Sequence, residues 1–167
     1  MIKVFNALFV TMFGIGKLKP IPGTFGSLAT VIILYFCFHK LEINSNIILL
    51  GLVVIFIYSF SAITSHTKDK ENKDPGEIVI DEFIGQSIPI YLYEISHGTN
   101  KDPNEVLIFY VVCFILFRYF DIMKPFPVSY FDKKHKNSFG VIMDDVCAGL
   151  YVVLSLVCFM ILKSYIL

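Results

Sequence analysis

Charged residues are scarce in this chain of 167 residues: they make up 17% of it, against about 25% in an average soluble domain. Tryptophan is absent, and the 14 basic residues are balanced by 14 acidic ones. A chain without net charge lacks the attraction on which nucleic-acid binding depends, so we expect no nucleic-acid partner. The glycine-containing run Pro22–Ser27 matches neither a P-loop nor a dinucleotide fingerprint, which argues against those nucleotide sites.

The sequence also lacks the cysteine and histidine patterns that are typical of redox, tyrosine-phosphatase and zinc sites. None of the four cysteines belongs to a C-x-x-C pair, and all four lie in apolar runs, as buried structural thiols do. Four residues separate Cys113 from Arg118, whereas a tyrosine-phosphatase loop needs five. The histidines do not pair at the spacing of metal ligands, so the sequence disfavours a zinc site.

Apolar residues dominate instead, at 56% of the chain, which excludes disorder and indicates an integral membrane protein. The length fits a single domain over residues 1–167. We predict an all-α, compact, membrane-embedded bundle of about five long apolar helices and a short N-terminal one. The uncharged Ile47–Ile63 is the best membrane-spanning candidate, and Lys124–Asn137 is predicted to be a loop. The predicted helices are Ile2–Phe13, Thr24–Phe38, Ile47–Ile63, Ile78–Ile95, Glu105–Phe120 and Val141–Leu162.

Polar residues embedded in these apolar segments fall into four groups. If successive long helices cross in opposite directions, all four groups arrive at the same end of the bundle. All basic residues except Lys40, Lys101 and Lys163 fall at that end too, which the positive-inside rule assigns to the cytoplasm. The four groups are the turn Gly23–Ser27, the pair Asp81 and Glu82, the series Arg118, Asp121 and Lys124, and the pair Asp144 and Asp145.

Converging carboxylates at membrane depth need a cation, because each costs roughly 2.5–3.5 kcal/mol to insert and they repel one another. Hard cations such as Mg²⁺ or Ca²⁺ prefer carboxylate oxygens. Arg118 and Lys124 recur three residues either side of Asp121 and would neutralise phosphoryl oxygens beside such a metal. The turn at Gly23–Ser27 offers backbone N–H groups and a helix N-terminus, which attracts anions.

The four groups, in this order, resemble the phosphatidylglycerophosphatase A family. The resemblance implies an all-helical, Mg²⁺-dependent phosphatase that converts phosphatidylglycerophosphate to phosphatidylglycerol in phospholipid biosynthesis. Its partner would be the phospholipid in the inner membrane of a bacterium, with the site facing the cytoplasm; the oligomeric state stays open. The matching stretches are Gly14–Gly16, Pro20–Ser27, Ile80–Gly85, Arg118–Pro127 and Gly140–Gly149.

Site roles follow from the same resemblance. The acids would supply metal ligands and one general base, and the other residues would bind the substrate phosphate. Either water or an aspartate that forms an aspartyl-phosphate would be the nucleophile. Another membrane phosphomonoesterase and a small ion-coupled transporter are the alternative functions. The candidate metal and catalytic residues are Asp81, Glu82, Asp121, Asp144 and Asp145; the candidate phosphate ligands are Arg118, Lys124, Thr24, Ser27, Gly23 and Gly26.

Overall fold

A computed structural model describes residues 2–70, 72, 75–96 and 102–166. Every regular element in these ranges is helical, so the predicted all-α class is confirmed. Lys101, used above in the charge argument, lies outside them. The helices are α1 (Ile2–Val10), α2 (Pro22–His39), α3 (Ser45–Thr67), α4 (Ile80–Ser96), α5 (Pro103–Met123), α6 (Val128–Lys134) and α7 (Ser138–Ile166), with a 3₁₀ turn at Ile15–Lys17.

Capping residues explain where several helices begin and end. The Asn44 side chain accepts a hydrogen bond of 2.9 Å from the Asn46 N–H at the start of α3, and Asp102 caps α5 in the same way. Proline occupies the first turn of α2 and of α5, where its missing N–H has no helical partner to lose. At its other end α5 stops at Lys124, whose left-handed backbone (φ 44°) cannot continue the helix.

The short helix α6 corrects the prediction of a loop over Lys124–Asn137. Two prolines in this stretch suggested irregular backbone. However, Pro127 stands immediately before the first helical residue, a place where a proline does not interrupt helical hydrogen bonding. Seven residues of helix therefore fit between the prolines and the next turn.

Four helices of the described chain are long and apolar enough to cross a membrane: α2, α3, α5 and α7. The α3 helix has the highest mean hydropathy of the four, 2.5, as the uncharged run predicted. The α4 helix is not one of these candidate spans. Of the five long apolar helices that were predicted, the described chain therefore has four that could cross a membrane. The α4 helix is 17 residues long and holds two acids in its first turn and an internal proline.

The α4 helix lies at the centre of the bundle, against α2, α3, α5 and α7. It crosses α7 where both helices carry glycine. A β-carbon at Gly85 would lie 2.4 Å from the Asp145 backbone oxygen, and one at Gly149 would lie 2.3 Å from the Gly85 oxygen. These two glycines therefore allow a backbone-to-backbone approach that places the start of α4 beside Asp145.

The outer surface of the bundle is apolar. On α3, exposed residues recur at Ile47, Leu50, Val54 and Ile57, a spacing that places them on one face of the helix. An apolar face of this kind is unfavourable in water and fits the hydrocarbon of a bilayer. The helices therefore belong to a membrane protein.

The N-terminal helix α1 packs on the bundle, mainly against α3. The Tyr58 hydroxyl on α3 donates a 2.6 Å hydrogen bond to the Asn6 side-chain oxygen, and Asn6 is buried. The Val79 N–H donates to the Val10 oxygen at 2.9 Å. These contacts hold α1 against α3 and against the segment that leads into α4.

Candidate active site

A cavity of about 350 Å³ opens at one end of the bundle, where α2 and α4 begin, α5 ends and α7 passes. The structure brings nine of the eleven predicted site residues to its walls. The four polar groups thus converge, as the alternating helix directions predicted. The nine are Gly23, Thr24, Asp81, Glu82, Arg118, Asp121, Lys124, Asp144 and Asp145.

Three of the carboxylates form a compact cluster. Asp81, Glu82 and Asp145 each offer one oxygen, and these oxygens lie within 4.8 Å of one another. Glu82 Oε2 and Asp145 Oδ1 are buried and make no hydrogen bond with any residue that the structure describes. Buried, uncompensated anionic oxygens are costly. The donor set therefore fits a hard, oxygen-preferring cation such as Mg²⁺.

Glu82 shows the electrostatic strain of this cluster most directly. Burial raises the pKa of its carboxyl well above the ordinary value, and the negative charge of Asp81 raises it further. A bound cation would reverse both effects, because it would favour the ionised carboxylate.

Gly23, at the start of α2, makes room for Glu82 and Arg118. A β-carbon there would lie 2.1 Å from Glu82 Oε1 and 3.2 Å from Arg118 Nη1. Only glycine leaves both side chains where they are. The absence of a side chain at Gly23 thus leaves space for Glu82 and Arg118, besides the access to backbone N–H groups for which Gly23 was predicted.

Arg118 lies in the wall of the cavity with its guanidinium partly paired. Its Nη1 lies 2.7 Å from Asp121 Oδ2 and 3.9 Å from Glu82 Oε1, and it donates to Ser27 Oγ at 3.3 Å. Arg118 Nε is buried without a hydrogen-bond partner in the described chain. The predicted phosphate ligand and the predicted acid Asp121 are therefore an ion pair, one helical turn apart.

Lys124 is held between two carboxylates. Its Nζ lies 2.5 Å from Asp132 Oδ1 on α6 and 3.1 Å from Asp144 Oδ2 on α7. Burial alone would lower the pKa of this ammonium, but hydrogen bonds with Asp132 and Asp144 raise it above its ordinary value. Lys124 therefore stays positively charged, and Asp144 is engaged by lysine rather than by the three-carboxylate cluster.

Two predicted phosphate ligands lie outside the cavity lining. Ser27 is buried; its hydroxyl donates to the Gly23 oxygen at 2.9 Å and accepts the bond from Arg118. Gly26 packs on Val79, whose β-carbon would be 2.8 Å from a β-carbon at position 26. Ser27 thus contacts the Arg118 guanidinium, and Gly26 permits close packing of α2 on the chain before α4. Their predicted role in phosphate binding stays a prediction.

Two polar residues near the site were not predicted from the sequence. Asp132 lay in the stretch interpreted as a loop, and its distance from Lys124 along the chain gave no sign of their contact. Gln86 is fully buried one turn beyond Glu82, and neither amide atom has a hydrogen-bond partner among the described residues. A polar side chain in an apolar segment was the only available signal for Gln86.

A family model and two known proteins that match most of this chain carry the same name. A sequence model of the family "Phosphatidylglycerophosphatase A" matches residues 8–160. Haemophilus influenzae phosphatidylglycerophosphatase A is 37% identical over 88% of this chain and 83% of its own length. The Escherichia coli protein of the same name is 31% identical over 85% and 76%. A Bacteroides thetaiotaomicron protein provisionally named a phosphatidylinositol-3-phosphatase is 33% identical over 86% of each chain. No solved structure matches significantly.

Proposed function

The chain belongs to the phosphatidylglycerophosphatase A family, and on that premise we propose that it hydrolyses phosphatidylglycerophosphate to phosphatidylglycerol and inorganic phosphate. One observation supports this most strongly. A cluster of three carboxylates and two cationic side chains share one cavity at the end of an apolar helical bundle. A lipid phosphate reaches such a site while its acyl chains stay in the bilayer.

We propose Mg²⁺ as the cofactor, held by Asp81, Glu82 and Asp145. The buried oxygens of Glu82 and Asp145, which lack partners in the described chain, support this assignment. When bound, Mg²⁺ would polarise the phosphoryl group and neutralise part of its negative charge.

Arg118 and Lys124 would bind the phosphate oxygens. A lysine ammonium has three N–H donors, and Asp132 and Asp144 engage Lys124 through two contacts, which leaves one donor for the substrate. Arg118 has five donors, and its contacts with Asp121 and Ser27 both use Nη1. Both cations are therefore held in place and retain donors for an anion.

Hydrolysis also needs a proton acceptor for the attacking water. Each carboxylate of the cluster offers one oxygen to the metal, so the second oxygen of Glu82 or of Asp145 would accept the proton. The oxygen of water forms the new bond to phosphorus. The bond from phosphorus to the glycerol oxygen breaks, and that oxygen leaves as an alcohol after it takes the proton from the carboxyl that received it from water.

We further propose that the protein lies in a bacterial inner membrane with this cavity on the cytoplasmic side, in phospholipid biosynthesis. The excess of basic residues at the cavity end supports this orientation. Lys3, Lys70 and Lys124 are examples of that excess.

The function can be tested by phosphate release from phosphatidylglycerophosphate in mixed detergent micelles, with Mg²⁺ or with EDTA. We expect activity only with Mg²⁺, and a loss in Asp145→Asn of at least about 100-fold in kcat, as for removal of a metal ligand or general base. Asp69→Asn is the matched control, because Asp69 is exposed and pairs with Lys3 away from the cavity. Near-normal activity in Asp145→Asn would overturn the site assignment.

The substrate can be tested in the same assay. Phosphatidylinositol 3-phosphate and the soluble glycerol 3-phosphate serve as competing substrates. We expect the highest kcat/KM for phosphatidylglycerophosphate. A preference for the soluble ester would refute a lipid phosphatase.

A further inference from the structure

We propose that the diacylglycerol part of the substrate leaves the cavity between the start of α2 and the end of α5, over Ile21 and Ile122. This inference rests on the proposed function, because it assumes a lipid phosphomonoester. It adds the path of the acyl chains and two residues that select a lipid over a soluble ester.

The walls of the cavity differ in exposure. Asp81, Asp144 and Asp145 are buried, and so is the apolar Ile78. Two apolar lining residues differ sharply from these: Ile21 is 51% exposed and Ile122 is 67% exposed. The charged interior of the cavity therefore reaches the outer surface past these two isoleucines.

The surface outside Ile122 is apolar as well. Tyr119 lies one turn before Ile122 on α5, Met123 follows it, and Phe126 lies in the segment between α5 and α6. All three are exposed. Farther along α5, Ile115 is exposed at a spacing of seven residues, on the same face of the helix as Ile122. An apolar strip thus runs from the mouth of the cavity along a candidate membrane span.

The occupant that fits this arrangement is a two-chain lipid with a phosphate headgroup. Its phosphate needs the cations of the cavity, and its acyl chains are favoured where they stay out of water. A chain that follows Ile122 toward Ile115 stays in an apolar environment over its whole length. A soluble phosphomonoester gains nothing from this strip.

The experiment compares a lipid with its own headgroup. The full-length protein and its variants are assayed with long-chain phosphatidylglycerophosphate in mixed micelles and with the deacylated, water-soluble headgroup. We expect Ile122→Ala and Ile21→Ala each to raise the KM for the lipid about three- to tenfold, because methylene contacts are lost. The kcat for the lipid and the kcat/KM for the headgroup should stay unchanged. Ile57→Ala, which shortens an equally exposed isoleucine on α3, outside the cavity lining and the strip on α5, is the matched control.

A selective rise in the lipid KM for the variants at 21 and 122, with the variant at 57 close to wild type, supports the proposed path. An unchanged lipid KM in both variants overturns it, as does an equal loss on lipid and headgroup. If the wild-type protein hydrolyses neither substrate, the proposed function itself fails. If the wild-type protein is active and the variants hydrolyse neither the lipid nor the headgroup, the proposed function stands and the proposed path is wrong.

Discussion

Substitution of Gly85 by alanine tests whether the α4–α7 crossing builds the carboxylate cluster. The added β-carbon would lie 2.4 Å from the Asp145 backbone oxygen and 2.7 Å from the Phe117 ring, whereas ordinary contact begins at 3.4 Å. The helices must therefore separate by about 1 Å. Overpacking of this kind costs about 1–3 kcal/mol of folding free energy. The same shift carries Asp145 away from Asp81, although Mg²⁺ tolerates little departure from about 2.0–2.1 Å.

Two measurements follow for Gly85→Ala: thermal unfolding in detergent and phosphate release at increasing Mg²⁺. We expect a lower Tm and a higher Mg²⁺ concentration for half-maximal activity. Gly51→Ala is the control, because a β-carbon at position 51 of α3 meets nothing within 4 Å. Alanine favours a helix over glycine by about 1 kcal/mol, so Gly51→Ala should leave activity unchanged and raise the Tm slightly. If Gly85→Ala behaves like Gly51→Ala, the close crossing does not position the cluster.

Two further predictions concern charged residues near the cavity. Asp132→Asn should raise the KM for the lipid about tenfold, because hydrogen bonds to charged groups contribute about 1.5–3 kcal/mol and Asp132 holds Lys124. Asp132→Glu should restore most of the affinity, and an unchanged KM in Asp132→Asn would contradict the role. Hydrogen bonds from Lys70 and His66 lower the pKa of Glu77 below 4.5, so its stabilising effect is complete above that pH and is lost as pH falls. Tm measured from pH 7 to pH 3 should fall less steeply in Glu77→Gln than in wild type; parallel curves would refute this linkage.

Features carried by a single uninterrupted segment could be predicted from the sequence. The uncharged run at Ile47–Ile63 predicted α3. The acids at the start of α4 and α7 could be identified as site candidates because they interrupt apolar segments. Their convergence needed only the alternation of helix directions. The central position of α4 was not predicted, because hydropathy alone does not distinguish a short helix buried in protein from one that spans lipid.

Features that depend on contacts between distant residues could not be predicted. Nothing in the sequence shows that Asp132 contacts Lys124, or that Gly85 touches the backbone at Asp145. It was also not possible to predict which of the five acids bind the metal and which pair with Arg118 and Lys124. The structure separates the cluster of three carboxylates from Asp121 and Asp144, which are engaged by Arg118 and Lys124.

The ion pair between Arg118 and Asp121 affects how the chain enters a membrane during synthesis. Because the two residues are one turn apart on α5, the helix inserts with its positive charge already neutralised and avoids much of the cost of a lone arginine. The acids of α7 have no such partner on their own helix, and they follow Lys124 and α4 in the chain. A chain that stops before α7 therefore lacks Asp144 and Asp145 and has no complete site.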